Sequence, residues 1–204
     1  MGIQLKQVIE ALLFAAPKPL SARQILQTLT KGSAMASEPL SDLQSVDEAH
    51  IEAVISEIKD QMEASGCGFV LQELAGGYRY GTRPETSPWV RLLHDETKPT
   101  RLSQPALETL SIIAYRQPIS RADIEAVRGV SVDGVVATLL ERRLIKLAGR
   151  SDAPGRPLIY ETTSEFLEVF GLKSLQELPN ADELRRIPIS QPAVAQMLQP
   201  ELQS

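Results

Sequence analysis

Two histidines, His50 and His94, and one cysteine, Cys67, are the side chains best suited to nucleophilic or metal chemistry in this chain. Their surroundings support neither. No second His, Cys or carboxylate stands beside either histidine at the spacing that a metal site needs. Cys67 lies between Gly66 and Gly68, in a predicted turn, and a nucleophile there would need a base within hydrogen-bond reach that the sequence does not supply. The run Gly149-Arg150-Ser151-Asp152-Ala153-Pro154-Gly155 lacks the Lys-Ser/Thr ending of a phosphate loop and opens no helix. The expectation is a protein without catalytic, cofactor or metal residues, working by binding other proteins rather than as an enzyme.

The charged residues bear on what it binds. The stretch Asp47–Glu63 carries Asp47, Glu48, Glu52, Glu57, Asp60 and Glu63 against Lys59 alone, and the formal net charge of the chain is -5. Phosphate backbones attract the opposite sign. A basic group, Arg142, Arg143, Lys146, Arg150 and Arg156, faces only Glu141 and Asp152 nearby in sequence, and suits phosphates or an acidic peptide held by charge-assisted hydrogen bonds.

The elements that must position these residues follow from hydrophobic spacing. Leu5, Val8, Ile9, Leu12, Leu13 and Ala16 recur as one helical face, and Pro17 and Pro19 stop that helix. Ser21 is placed to cap a second helix reaching about Leu29, after which residues 31–46 read as an exposed connection. Ile51, Val54, Ile55, Ile58 and Met62 mark a third helix. Two short strand-like runs, from Phe69 and from Tyr78, flank Ala75-Gly76-Gly77, a hairpin signal because tight hairpin turns need positive φ. A short helix with Trp89, Val90, Leu92 and Leu93 follows.

The order then starts again. Ser103-Gln104-Pro105 opens a helix through Leu107, Leu110 and Ala114. Ser120 caps a second helix, and Val132, Val135, Val136, Leu139 and Leu140 mark a third. Strand-like runs near Leu144 and Leu158 bracket a Gly/Pro loop, and Phe166, Leu167 and Phe170 lie on a last helix. Pro19-Leu20-Ser21 followed by Ile25 matches Pro118-Ile119-Ser120 followed by Ile124. Three helices and a hairpin, repeated, predict a mainly α protein with small β-hairpin wings: two tandem winged-helix domains at 1–94 and 102–179, a linker at 95–101 and a flexible tail at 180–204.

A DNA-reading winged helix lays its third helix in the major groove. The first domain's third helix is acidic, and in the second domain's Asp133 and Glu141 cancel Arg142 and Arg143. A winged-helix DNA-binding transcription regulator is therefore the alternative, not the leading expectation. The lone cysteine, the absence of a basic start followed by a long apolar run, and the lack of any roughly 20-residue apolar stretch point to a cytoplasmic chain with no membrane partner.

From Leu102 the motifs turn specific. LSQPALETLSIIAYRQPISRADIEAVRGV, then LLERRLIKLAGRSDAPGRPLIYETTSEFLEVFGLKSLQELP, strongly resemble the segregation and condensation protein B (ScpB) family, and IEALLFAAPKPLS resembles the family's start. The resemblance implies a non-catalytic subunit of the bacterial condensin-like complex. It implies a homodimer formed largely through the first domain, and binding to the kleisin subunit, segregation and condensation protein A. Through the kleisin it implies indirect contact with the SMC ATPase, nucleoid association, and a role in chromosome condensation and partition during cell division. DNA is expected to be met only weakly or through partners. Three departures stand out: Ser131-Val132 where the family has Asn-Ser, Arg143 where it has Gly, and a long 31–46 stretch. Arg143 must then accept a left-handed turn, at on the order of 1 kcal/mol, or end the helix otherwise.

Aromatic and Arg side chains dominate interfaces. The expected kleisin contacts are therefore Tyr115, Arg116, Gln117, Arg150, Arg156, Tyr160 and Phe170. For dimerisation the expected residues are Trp89, Val90 and Leu93, because the sole Trp sits on a short helix with no evident core to join. Ala193–Leu198 is read as one helical turn within the tail.

Overall fold

The computed structural model describes residues 4–35, 46–93 and 101–180. The chain divides into two compact units, Met1–Glu96 and Thr97–Ser204.

In the first unit, α1 (Leu5–Ala15), α2 (Ala22–Met35) and α3 (Glu48–Ser65) precede a hairpin of β1 (Phe69–Leu74) and β2 (Gly77–Thr82). A 3-10 turn (Pro84–Thr86) and α4 (Ser87–Leu93) follow. Ser21 caps α2 as expected, and Asp47 caps α3, a start the sequence reading did not name. Ser21 Oγ accepts from the Gln24 N–H at 3.2 Å, and Asp47 Oδ1 from the His50 N–H at 2.8 Å, each satisfying a donor that has no intrahelical acceptor. Gly66 ends α3 in the left-handed conformation. Ile9, Leu13, Ile25, Leu29, Ile51, Ile55, Ile58, Met62 and Leu71 form one buried cluster, each large aliphatic side chain contributing roughly 1.5–3 kcal/mol by leaving water.

Two readings need correction here. α2 does not stop near Leu29 but continues through Met35, so Lys31–Met35 is helix rather than connection. Gly32 does not stop the helix, because one Gly in a helix costs only about 1 kcal/mol. Thr30 Oγ1 turns back onto the Leu26 carbonyl at 2.9 Å, and no proline intervenes before Pro39. Residues 36–45 lie outside the described residues. The hairpin turn is Ala75-Gly76, at φ 50° and 70°, a two-residue type I′ turn, and Gly77 already belongs to β2. Gly77 answers a different need: Leu20 and Tyr78 form a reciprocal bridge, with N···O distances of 2.9 and 2.8 Å. A Cβ on Gly77 would stand 2.8 Å from the Leu20 carbonyl carbon.

The second unit repeats the plan with α5 (Gln104–Arg116), β3 (Ile119–Ser120), α6 (Arg121–Arg128) and α7 (Asp133–Glu141). The wing strands β4 (Ile145–Arg150) and β5 (Leu158–Thr162), then α8 (Ser164–Phe170) and a 3-10 turn (Leu175–Glu177), complete it. Ser103 and Ser120 cap α5 and α6. The sheet order is β3-β5-β4, all antiparallel, with a bulge between Leu147 and Gly149. Leu110, Ile113, Ile124, Val136, Leu139, Ile145, Tyr160 and Phe166 anchor its buried cluster.

The Pro-aliphatic-Ser repeat has a structural meaning. Leu20 pairs with Tyr78 on β2, and Ile119 pairs with Tyr160 on β5; Ile25 and Ile124 are both fully buried. In each unit the segment between the first two helices is stitched to the second wing strand. Three helices closed by a hairpin is the winged-helix plan, present twice.

Arg143 takes the left-handed turn, at φ 57°. Its N–H donates to the Leu140 carbonyl and the Leu144 N–H to the Leu139 carbonyl, at 2.9 and 3.0 Å, the paired bonds of a Schellman ending. Its own carbonyl accepts from Thr163 Oγ1 at 2.5 Å, tying the end of α7 to the start of α8.

Candidate partner-binding surfaces

In the first unit the stripe Ile51, Ile55, Ile58 and Met62 turns α3 inward, which leaves Asp47, Glu48, Glu52, Glu57, Asp60 and Glu63 all exposed. The face that a DNA reader would offer to the major groove is a row of carboxylates. Lys6 neutralises one of them, its Nζ lying 2.9 Å from Glu57 Oε1.

The same unit leaves large apolar groups in water. Phe14 at the end of α1 is 84 % exposed, and on α4 Trp89, Leu92 and Leu93 are 70 %, 83 % and 82 % exposed; Val90 is half-buried. Trp89 and Leu93, expected at a dimer contact, therefore stand open. Phe14 was not expected at any surface, although it falls off the buried stripe of α1 and the helical spacing alone could have marked it. Phe14, Glu10, Ala11, Met62, Phe69 and Tyr80 line an apolar groove of about 410 Å3. Its floor carries Phe69 edge-on to Tyr80, with centroids 5.9 Å apart at 88°. Burial, and after it the Glu10 carboxylate, push the Tyr80 phenol above its ordinary pKa.

In the second unit the expected contact residues separate into two kinds. Arg116, Arg150 and Arg156 are exposed, and Tyr115 is exposed although its hydroxyl donates to the Pro179 carbonyl at 2.7 Å. Arg150 donates from its guanidinium to the Arg156 carbonyl at 3.1 Å, so the two arginines brace the loop between β4 and β5. Arg156 sits at that loop's end with φ 43°, its N–H bonded to the Ala153 carbonyl at 2.9 Å. Leu147 and Leu158 lie exposed on the wing strands beside them, a combination of cations and aliphatic surface.

Gln117, Tyr160 and Phe170 play a different role. Gln117 Oε1 accepts from the Thr162 N–H at 2.7 Å and from Thr162 Oγ1 at 3.0 Å, while its Nε2 donates to the Ala114 carbonyl at 3.1 Å. It is a clamp between the end of α5 and β5. Tyr160 is buried in the core, because β5 turns Tyr160 and Thr162 to the same inner face. Phe170 stacks on Phe166, with centroids 4.8 Å apart, and packs against the core. Tyr160 is thus turned away from the surface, while Gln117 and Phe170 are half-buried and engaged within the unit. A cleft of about 470 Å3 between the start of α5 and α7, rimmed by Arg101 and Arg142, was not foreseen.

Cys67 Sγ lies 2.8 Å from Ser65 Oγ, and His50 is exposed in the first turn of α3. Among the described residues no three His, Cys, Asp or Glu side chains group to hold a metal. No helix among them is long and apolar enough to cross a membrane. His94 and residues 181–204, with the turn expected at Ala193–Leu198, lie outside the described residues.

Comparison with known proteins gives a consistent picture. The profile described as "Segregation and condensation complex subunit ScpB" matches residues 7–181. Segregation and condensation protein B of Syntrophotalea carbinolica is 47 % identical over 185 residues, 91 % of this chain and 86 % of that protein. The protein of the same name from Symbiobacterium thermophilum is 45 % identical, over 85 % of this chain and 72 % of that one. Among solved structures, ScpB from Mycobacterium tuberculosis matches at 34 % identity with a TM-score of 0.36, over 82 % of this chain and 95 % of that one. A dimer of ScpB N-terminal domain complexed with ScpA peptide matches at 27 % identity with a TM-score of 0.36, over 48 % of this chain and all of that one.

Proposed function

The chain belongs to the family of segregation and condensation complex subunit ScpB, and from that premise we propose that it is a dimeric adaptor which binds the kleisin of an SMC complex. In this reading it carries no catalytic step of its own. It acts in the cytoplasm at the nucleoid, in chromosome condensation and partition, and meets the SMC ATPase through the kleisin. The observation that carries the protein-binding reading is the exposed acidic face of α3. A groove of phosphates repels that face, whereas a protein partner accommodates it.

The two units divide the work. The first unit pairs with a second copy through Trp89 and Leu93, with Val90 beneath them, since aromatic and aliphatic groups of this size are costly to leave in water. The second unit holds the kleisin through its wing, with Arg150 and Arg156 as charge-assisted donors and Leu147 and Leu158 as apolar support. Tyr115 and Arg116 offer a further exposed aromatic and cation at the end of α5.

Light scattering tests the adaptor reading directly. The purified chain is expected to be a dimer that shifts to a larger mass when its own kleisin is added. A chain that stays monomeric and ignores the kleisin sinks the reading. The joint substitution Arg150→Glu and Arg156→Glu is expected to weaken kleisin binding on the order of tenfold or more, since it replaces two attractions with repulsions. Unchanged affinity removes the wing from the contact.

A further inference from the structure

The third helices of the two units carry different surfaces. Where α3 leaves its carboxylates in water, α7 exposes Gly134 and Ala137, and its Asp133 is already held by Arg121. Against α7 lies the cleft of about 470 Å3, which the wing contact does not use. Arg101, exposed, and Arg142, half-buried, rim it, and neither Asp133 nor Glu141 is among its lining residues. Ser103 Oγ accepts from the Ala106 N–H at 3.4 Å, which leaves its own proton to donate. Leu102, Ala106 and Val135 make the rest of the wall apolar. Two guanidinium groups and a hydroxyl are donors of the kind that grip phosphate oxygens, and the apolar wall suits a sugar ring between two phosphates.

We infer that this cleft takes the sugar-phosphate backbone of duplex DNA, a direct contact that goes beyond the adaptor role. Arg101 and Arg142 each neutralise a phosphate, and Ser103 donates to one. The contact is blind to sequence. Between Asp133 and Glu141 α7 holds no Arg, Lys, Asn or Gln to read a base edge, and the Thr138 hydroxyl is spent on the Gly134 carbonyl at 2.9 Å. A duplex is favoured over an acidic peptide because the third helix is the one that this fold offers to a DNA groove. The surface there is also low enough for a backbone to come close, since a Cβ added at Gly134 would meet nothing within 4 Å. The net charge of -5 keeps the affinity modest, about 1–100 μM near physiological salt, as for other sequence-independent contacts.

Fluorescence anisotropy of a labelled duplex, titrated with the full chain without kleisin at several salt concentrations, decides it. Two duplexes of unrelated sequence are expected to bind alike. Arg101→Glu and Arg142→Glu are each expected to raise the dissociation constant roughly three- to tenfold and to lower the salt slope by about one. Gly134→Glu puts a carboxylate into the cleft and leaves both arginines in place; it is expected to weaken binding about tenfold. Arg23→Glu, the same change of charge at an exposed position of α2, is expected to stay within about twofold. Unchanged thermal unfolding verifies that each variant folds, and kleisin affinity is expected to hold within about twofold throughout. A chain that ignores DNA at low salt, or loses as much with Arg23→Glu as with Arg101→Glu, overturns the inference. Kleisin affinity that falls with Arg101→Glu and Gly134→Glu while DNA binding holds gives the cleft to an acidic peptide and overturns it as well. The adaptor reading survives either failure, because it is judged by kleisin binding of the unaltered chain.

Discussion

The two units follow one plan and end it differently. In the second unit the closing helix α8 drives Phe166 into the core and lays Phe170 against it, leaving Val169 exposed. In the first unit the closing helix α4 buries none of its residues, and Phe14 and Phe69 remain open as well. The wings differ in the opposite sense. Ala75-Gly76 closes the first wing in a two-residue turn, whereas Ser151–Pro157 spans the second as a longer loop carrying Arg156 and braced by Arg150. The repeated fold thus leaves a bare apolar closing helix in the first unit and a longer, arginine-carrying wing loop in the second. Two different kinds of contact can grow from the same scaffold without competing.

The largest expected effect tests whether the units are separate at all. Their cores are distinct clusters, so Ile51→Ala and Ile113→Ala are each expected to destabilise by about 2–5 kcal/mol. Amide hydrogen exchange should show the loss of protection confined to the altered unit; loss spreading equally to both breaks the comparison. Next comes the stitch between helices and wing. Gly77→Ala forces a Cβ against the Leu20 backbone and is expected to cost about 2 kcal/mol, read by chemical denaturation of the first unit. The matching stitch in the second unit has support from Gln117. Gln117→Ala strips the buried Thr162 N–H and hydroxyl of their acceptor, at an expected cost of roughly 1–3 kcal/mol. A cost near zero would mean that Gln117 is free for a partner after all. The smallest effect is a gain. Ala75 and Arg143 each hold positive φ, and Ala75→Gly and Arg143→Gly should each stabilise their own unit by about 0.5–1 kcal/mol, visible as a modest rise in melting temperature. A fall at Arg143 would show that its side chain repays the strain through contacts.

Much of this arrangement could be read from residue types. Apolar spacing found the buried faces of α1, α3, α5 and α7, and Ser21, Ser103 and Ser120 announced three helix starts, because those signals are local. The Pro-aliphatic-Ser repeat announced the doubled fold before any strand pairing was known. What failed was non-local. Nothing in the neighbourhood of Gln117 tells that Thr162 will lie beside it, and strand alternation does not say which of Ile159 and Tyr160 faces the helices. α2 ran past Gly32 because one helix-weakening residue does not outweigh its neighbours. The groove around Phe14 drew its walls from α1, α3, β1 and β2, and the only clue in sequence was an aromatic residue standing off its helix's stripe.

The stitch also sets how each unit bears a mechanical load. Ser120 both pairs with Ile159 on β5 and caps α6 through the Asp123 N–H, so tension applied at the second wing tip runs down β5 into the first turn of a helix. Pulled along the strands, the pairs Ile119–Tyr160 and Ser120–Ile159 resist together. Lifted away from the helices, they break in succession, and the cap of α6 opens with them. In the first unit, among the described residues, the corresponding stitch is the Leu20–Tyr78 bridge, backed by Leu71, Tyr78 and Tyr80 packed on the core.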